Sequence, residues 1–300
     1  MSIVVIGSLA FDDVVTQHGA IRNAIGGSAL YFATAASLFA PVSIVGVVGE
    51  DFPLTELEFL RRRKVELDGI QVIKGGKTFR WTGEYELDMN KRKTTRLELN
   101  VFKDFKPLLP ESCKSAKYVF LGNIDPDIQL DVLEQVESPG FIAADTIECY
   151  LEDKPDTFRE VLERINLLFI NDSEACLFTG KNSIISAARV LLECGPEYVI
   201  IKKGEHGSFL VSRDMFFTIP AYPVENIVDP TGAGDSFAGG AMGYCARVDS
   251  WDSLTLKKAV VYGSLVASFL VESFSLQGIK NLTLDEIEER LKIFRSMTSY

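Results

Sequence analysis

The stretch DPTGAGDSFAGG, residues 229–240, sets a carboxylate directly behind two spaced glycines and in front of a run of small residues. Asp229-Pro230 disfavours continued helix, because the residue before a proline is pushed towards extended backbone. Gly232 and Gly234 open backbone angles that are closed to other residues. Asp235 then falls at the start of the helix that SFAGGAMGYCAR, residues 236–247, suggests. A helix start leaves N–H groups without partners, and an anion is stabilised among them. A capped turn alone accounts for one glycine and the aspartate, but gives no reason for Gly-Ala-Gly followed at once by a carboxylate. The stretch reads as a place built to hold a negatively charged ligand.

Outside it, short apolar runs without alternation recur: IVVIG (3–7), VSIVGVVG (42–49), YVFLGN (118–123), LLFIN (167–171) and YVIIKKG (198–204). Strands buried on both faces have this pattern. Between them the spacing turns helical, as in Leu130, Leu133 and Val136, and in Phe158, Val161, Leu162 and Ile165. Alternating strands and helices predict an α/β fold: a doubly wound, mostly parallel sheet flanked by helices, in one domain over 1–300. Thr283 and Glu286 have capping-box spacing, and Ile287, Leu291 and Phe294 share one face of a closing helix. One region breaks the alternation. KTFRWTGEYELDMNKRKTTRLELN (77–100) reads as a hairpin, and with FDDVVTQHGAIRNAIGG it predicts a small separate sheet, a lid with strands at about 12–25 and 78–100. Such a lid over the carboxyl ends of the main strands would exclude water from a reaction there. Its exposed strand edges suit pairing with a second copy, so a homodimer through the lid is expected.

Composition narrows the function. Hydrophobic residues are 47% and charged residues 24% of 300, the balance of a folded globular chain. A net charge of -11 argues against general affinity for nucleic acid or anionic membrane. RRRK (61–64) reads as the solvated end of a helix and NKRK (90–93) as a hairpin turn. Five cysteines without a Cys-x-x-Cys pair read as reduced, mostly buried thiols. The amino terminus lacks a basic leader, and the longest apolar run, 259–271, is too short to span a membrane, so a cytoplasmic location is expected.

Several familiar motifs fail. GGKT (75–78) lacks the glycine that a Walker A loop needs at 71, where Gln71 stands, and strand-like residues follow it. No G-x-G-x-x-G follows the first strand, no G-x-S-x-G occurs, and two histidines do not make a multi-histidine metal centre. What remains is Asp12 past the first strand, Gly26-Gly27 before an apolar helix, Asn171 and Glu174 after a buried strand, and KKGEHGS (202–208) after another. Asp172 or Ser173 would suffice as a plain helix cap there. Asp125 before Pro126 reads equally as a cap or as a ligand group, and Trp81 as packing between two small sheets or as a stacking surface.

Taken in this order, from VVIGSLAFD to the YGSLVAS helix near residue 268, the chain resembles the ribokinase-like, or PfkB, family of carbohydrate and nucleoside kinases. The resemblance implies an ATP-dependent kinase acting on an alcohol, with Asp235 as catalytic base and the backbone of Gly232, Ala233 and Gly234 as the anion hole for the γ-phosphate. It implies that Asn171 and Glu174 act on the ATP phosphates through water and Mg2+, and that Lys202, Lys203, Gly204 and Gly207 lie along the nucleotide. Asp12, Gly26 and Gly27 match substrate-binding positions. Tyr31 stands where many family members have an asparagine that grips sugar hydroxyls. Asp229 and Thr231 fall where many members hold a monovalent cation, K+ being the expected one. A small sugar is the expected acceptor, with a nucleoside or inositol as alternatives and a non-catalytic nucleotide-binding regulator as a different class. Phosphoryl transfer asks a protein for positioning, charge stabilisation and a base, and a carboxylate beside a helix-start anion hole meets these needs within four residues.

Overall fold

The computed structural model describes residues 2–299; Met1 and Tyr300, the ends of the expected domain, lie outside the described residues. In chain order the strands are β1 (Ile3–Ile6), β2 (Ala10–Thr16), β3 (Gly19–Gly26), β4 (Val42–Gly49), β5 (Val65–Ile73), β6 (Phe79–Tyr85) and β7 (Arg92–Glu98), followed by β8 (Tyr118–Leu121), β9 (Phe141–Ala144), β10 (Leu167–Asn171), β11 (Tyr198–Lys202), β12 (Ser208–Val211) and β13 (Phe216–Ile219). Nine form one sheet in the order β13-β12-β11-β10-β9-β8-β1-β4-β5. Every pairing from β11 to β5 is parallel, while β12 and β13 run antiparallel at one edge.

The continuous apolar runs follow from burial on both faces. In β1, Ile3 and Val5 enter one apolar layer and Val4 and Ile6 the other. All eight residues of β4 are buried. β1 lies between β8 and β4, so the chain leaves it in opposite directions on its two sides. A crevice opens at such a switch point, at the carboxyl ends of the strands.

The expected second sheet is present, in the order β3-β2-β6-β7. β2 and β6 are parallel neighbours, with Asp12 beside Trp81. Trp81 does not join two small sheets. It lies across Gly83 of its own strand, where any Cβ would meet the indole, and its Nε1 donates to Thr94 Oγ1 at 3.1 Å. The GGKT stretch links β5 to β6 with no helix after it, and Thr78 donates to Asp51.

Three other expectations shift. Arg63 is not a solvated helix end: its guanidinium donates to the carbonyls of Thr34, Ile279, Lys280 and Leu282, clamping the chain near residue 280 to the first helix. In the helix Pro126–Leu133 the buried face is Gln129, Val132 and Leu133, because Gln129 donates to the carbonyls of Gly122 and Asp145. All five cysteines are free, but only Cys113 and Cys245 are buried. The helix Ser253–Leu270 is longer than its apolar run suggested and reaches a mean hydropathy of 1.2, enough by length and composition for a membrane span. Half of it is buried inside the fold, where Gly263 packs on Phe237 of the helix Ala233–Val248.

Candidate active site

The stretch 229–240 folds as a turn into the helix Ala233–Val248, with Gly232 as its N-cap in the left-handed region at φ 77°. Only glycine is unstrained there, and a Cβ would run into the Tyr31 ring. Gly234 has a different reason. It already lies in the helix, and a Cβ on it would sit 3.2 Å from Lys202 Nζ. Gly234 therefore presents a first-turn N–H group of a helix start, while the Ala233 N–H closes the turn on the Pro230 carbonyl at 3.1 Å.

Asp235 follows in the same turn. Its Oδ1 is buried with no hydrogen-bond partner. Burial, then the Asp145 carboxylate, push its carboxyl up to about 7, against the pull of Lys202 and Arg92. A buried orphan acceptor is costly in a folded chain, and this one is open to a hydrogen-bond donor.

Strand ends bring the other groups in. Lys202, closing β11, pairs with Asp145 just beyond β9, Nζ to Oδ2 at 2.5 Å. Burial works to lower the Lys202 pKa, but Asp145 and Glu174 outweigh it and the net direction is upward. Lys203 points elsewhere, its Nζ 4.8 Å from the Phe209 ring centroid. Gly204 and Gly207 take positive φ in the following turn, and the Asn90 side chain from the lid rests on Gly204. Asn171, closing β10, is itself the helix cap: its Oδ1 accepts the Glu174 N–H at 2.7 Å while Glu174 Oε2 accepts the Asn171 N–H at 2.9 Å. The cap is this pair, and neither Asp172 nor Ser173 supplies it. Burial raises the Glu174 carboxyl to about 7, opposed first by Lys202.

On the lid side, Asp12 is buried and accepts from the Tyr31 hydroxyl at 3.3 Å. Burial first, then Asp229, push its carboxyl up to about 7. Gly26 leaves room for that carboxylate, and Gly27, at φ 98°, caps the helix Ser28–Ala36 against the Ser8 backbone. Tyr31 is 1% exposed and forms a floor under Gly232. Asp229 accepts the N–H groups of Thr231 and Ser275, each at 2.9 Å, and burial raises its pKa. The Thr231 hydroxyl meets Tyr85 of the lid at 3.1 Å. A monovalent cation at this loop would share or displace those bonds. Asp125 is held outside this group: it caps its own helix and both its oxygens lie 2.7 Å from Lys154 Nζ.

Asp145, which pairs with Lys202, and Tyr85, which meets Thr231, lie against these residues and carry little or no signal in the sequence. Asp145 carried one signal, an acid directly after the apolar FIAA. Tyr85 carried none, because its place depends on how the hairpin folds.

With the geometry in place, comparison with known proteins is direct. The pfkB family carbohydrate kinase pattern matches residues 2–282. A cytidine kinase of Thermococcus kodakarensis is 33% identical over 254 residues, covering 82% of this chain and 89% of that enzyme. A nucleoside kinase of Methanothermobacter thermautotrophicus is 29% identical, covering 98% and 96% respectively. Among solved structures, an E. coli protein described as a ribokinase II, in complex with ATP and Mg2+, superposes with TM-score 0.82 at 21% identity over 97% of this chain and 99% of that one. A glycine-cradled helix start, an aspartate with a buried unpartnered oxygen and a family match over residues 2–282 agree: the chain belongs to the pfkB family of carbohydrate kinases and is a phosphotransferase with an alcohol group as acceptor.

Proposed function

We propose that this protein transfers the γ-phosphate of ATP to a hydroxyl of a nucleoside, cytidine being the first acceptor to test. The observation that carries the reading is Asp235, a carboxylate with a buried, unpartnered oxygen in the first turn of a helix that starts at a left-handed glycine. The sequence alone favours a small sugar. Similarity to a cytidine kinase over most of both chains moves the preference to a nucleoside.

In this reading Asp235 takes the proton of the attacking hydroxyl, and a carboxyl pushed to about 7 is a suitable base near neutral pH. The N–H group of Gly234, joined by that of Ala233 when it exchanges the Pro230 carbonyl for phosphate, receives the charge that develops on the phosphoryl oxygens. Asp12 holds a substrate hydroxyl, fixed in place by Tyr31. The lid covers the acceptor and keeps water from competing for the phosphoryl group. Among the described residues no cluster of three His, Cys, Asp or Glu would hold a metal alone. Mg2+ typically takes one or two carboxylates together with substrate phosphates and water. Glu174 and Asp145 are the carboxylates that would hold it, and bound Mg2+ supplies charge neutralisation between the phosphates.

An ADP-release screen over nucleosides, ribose, deoxyribose and inositol tests the reading. Cytidine or another nucleoside should give the highest kcat/KM. A free sugar or inositol turned over more efficiently than every nucleoside would overturn it.

A further inference from the structure

We propose that Gln129 is a positioning residue for the reaction: its buried side-chain amide brackets the ends of β8 and β9 and so holds the Asp145–Lys202 pair beside the anion-binding turn. The inference rests on the phosphoryl-transfer reading above and not on the identity of the acceptor.

β8 and β9 are parallel neighbours whose last paired residues are Leu121 and Ala144. Gly122 and Asp145 come next, where the ladder runs out at the crevice. Their N–H groups are still served by the sheet, Gly122 donating to the Ile6 carbonyl and Asp145 to the Leu121 carbonyl, each at 2.8 Å. Their carbonyls fare differently. Among the described residues that of Asp145 meets no further backbone donor, and that of Gly122 only the Ile124 N–H of the turn after it, at 2.7 Å. Gln129, from the helix Pro126–Leu133, supplies the missing donors: its Nε2 lies 2.8 Å from the Gly122 oxygen and 3.0 Å from that of Asp145. An amide nitrogen carries two hydrogens, so one group serves both carbonyls and ties the two strand ends together.

Packing alone would not call for glutamine here. The residue is fully buried, on the same helix face as Val132 and Leu133, and its Oε1 has no hydrogen-bond partner among the described residues. A leucine or methionine of similar size avoids that unpaired acceptor. What the other end of the amide fixes offsets it. Asp145 is tied through every polar atom: its N–H to Leu121, its carbonyl to Gln129, Oδ1 to the Thr146 N–H at 2.9 Å and Oδ2 to Lys202 Nζ at 2.5 Å. Of these partners Gln129 is the one side chain that grips the Asp145 backbone. Lys202 Nζ in turn lies 3.2 Å from the place of a Cβ on Gly234, so a shift of Asp145 is passed to the turn that faces the phosphates. Misplacement by about 1 Å at such a site can cost as much as about 100-fold in rate.

The test compares Gln129→Met with the parent and repeats the change in an Asp145→Asn background, using the best acceptor found in the screen. Methionine keeps the length of the side chain and removes both donors. It should lower kcat about tenfold with the acceptor KM within about threefold of the parent. Calorimetry should show ADP affinity falling about tenfold with Mg2+ present and staying within about twofold without it, since Asp145 is one of the carboxylates that would hold the ion. In the Asp145→Asn background the same change should cost less than about threefold, because a residue that acts through Asp145 has little left to lose. Val132→Ala, on the same buried face, loosens the helix without touching either carbonyl. It should lower the urea midpoint and leave kcat and both ADP affinities within about twofold. The proposal is overturned if either kcat or the Mg2+-dependent ADP affinity of Gln129→Met stays within about twofold of the parent, if the two losses multiply in the double variant, or if Val132→Ala reproduces them. Should Gln129→Met fail to fold, Gln129→Asn, an amide one methylene too short to reach both carbonyls, serves the same comparisons. The ADP titrations need no acceptor, so a parent that prefers a free sugar overturns the choice of nucleoside and leaves Gln129 to be judged on its own.

Discussion

Replacing Asp235 by asparagine keeps the shape of the helix start and removes its base. The first-turn N–H groups of Ala233 and Gly234 are untouched, so ADP and ATP affinity should stay within a few-fold of the parent. Turnover should fall by roughly 10² to 10⁴, equivalent to about 3–5 kcal/mol of barrier. Stability should move the other way. The folded-state pKa of Asp235, about 7, lies above its ordinary value of 3.8. Its contribution to stability is complete below that ordinary value and is lost as pH rises through about 7. Three units correspond to about 4 kcal/mol as an upper limit, which relaxation of the half-buried cleft reduces. At pH 8 the asparagine variant should thus be more stable than the parent by about 1–3 kcal/mol, with a smaller gain at pH 5. The parent's kcat/KM should rise with pH up to about 7. Asp12 and Glu174 are pushed to the same region, so the variant's acid limb should lose one proton of steepness without disappearing. Stopped assays of ADP formation across pH, calorimetric nucleotide titrations and urea melts at the two pH values measure all three effects. Gly234→Val is the converse control, since its side chain would crowd Lys202 and weaken nucleotide binding while leaving the base in place. More than about a tenth of the parent rate in Asp235→Asn would end the general-base assignment.

Glu174→Gln retains an oxygen to accept the Asn171 N–H, so the helix should stay capped while the half-saturating Mg2+ concentration rises about tenfold; an equal loss at every Mg2+ concentration would count against a metal-side role. Arg63→Met leaves the carbonyls of Thr34, Ile279, Lys280 and Leu282 without their donor and should cost about 2 kcal/mol in urea melts, and a change below about 0.5 kcal/mol would show the clamp to be idle. The lid leaves β3 and β7 as free edges, with Leu97 exposed on β7. Pairing of lids should therefore give a dimer by sedimentation at micromolar concentration, reduced to a monomer by Leu97→Asp, whereas a monomeric parent would remove the idea.

Much of this site could be read before folding because its chemistry is local. Gly232, Asp235, Asn171 and Glu174 act within one turn each, through angles and caps that sequence neighbours decide. The groups that escaped notice are those whose role is set by distant partners. Asp145 follows a four-residue strand, FIAA, in which two alanines weaken the strand signal, and it gains meaning only when β9 and β11 bring it to Lys202. RRRK read as solvated because helix-end cations usually are, yet Arg63 alone of that run finds carbonyls from residues 279–282, far along the chain. Tyr85 needed the hairpin register before it could be seated on Thr231. Asp125 shows the reverse: a local cap motif with a ligand-like acid, whose carboxylate in the fold meets Lys154 at the junction of two other helices.

The small residues after Asp235 explain how the proposed base is held still. Gly239 lies against the Phe32 carbonyl, Gly243 comes within 3.0 Å of Ala36 Cα at its would-be Cβ, and Gly240 does the same with Gly263 Cα. Three helices thereby meet backbone to backbone, and side chains of ordinary size would force them apart. Asp235 is fixed from behind by this close packing, which suits the role proposed for it, since placement within about 0.5 Å decides the rate of such a group. The opposing lid is built differently: four strands with two free edges, and an outermost strand, β7, exposed along nearly its whole length. Local opening draws on elements of that kind. In the proposed reading the cleft thus joins a rigid wall carrying the base and the anion-binding turn to a loosely held wall carrying the acceptor contacts.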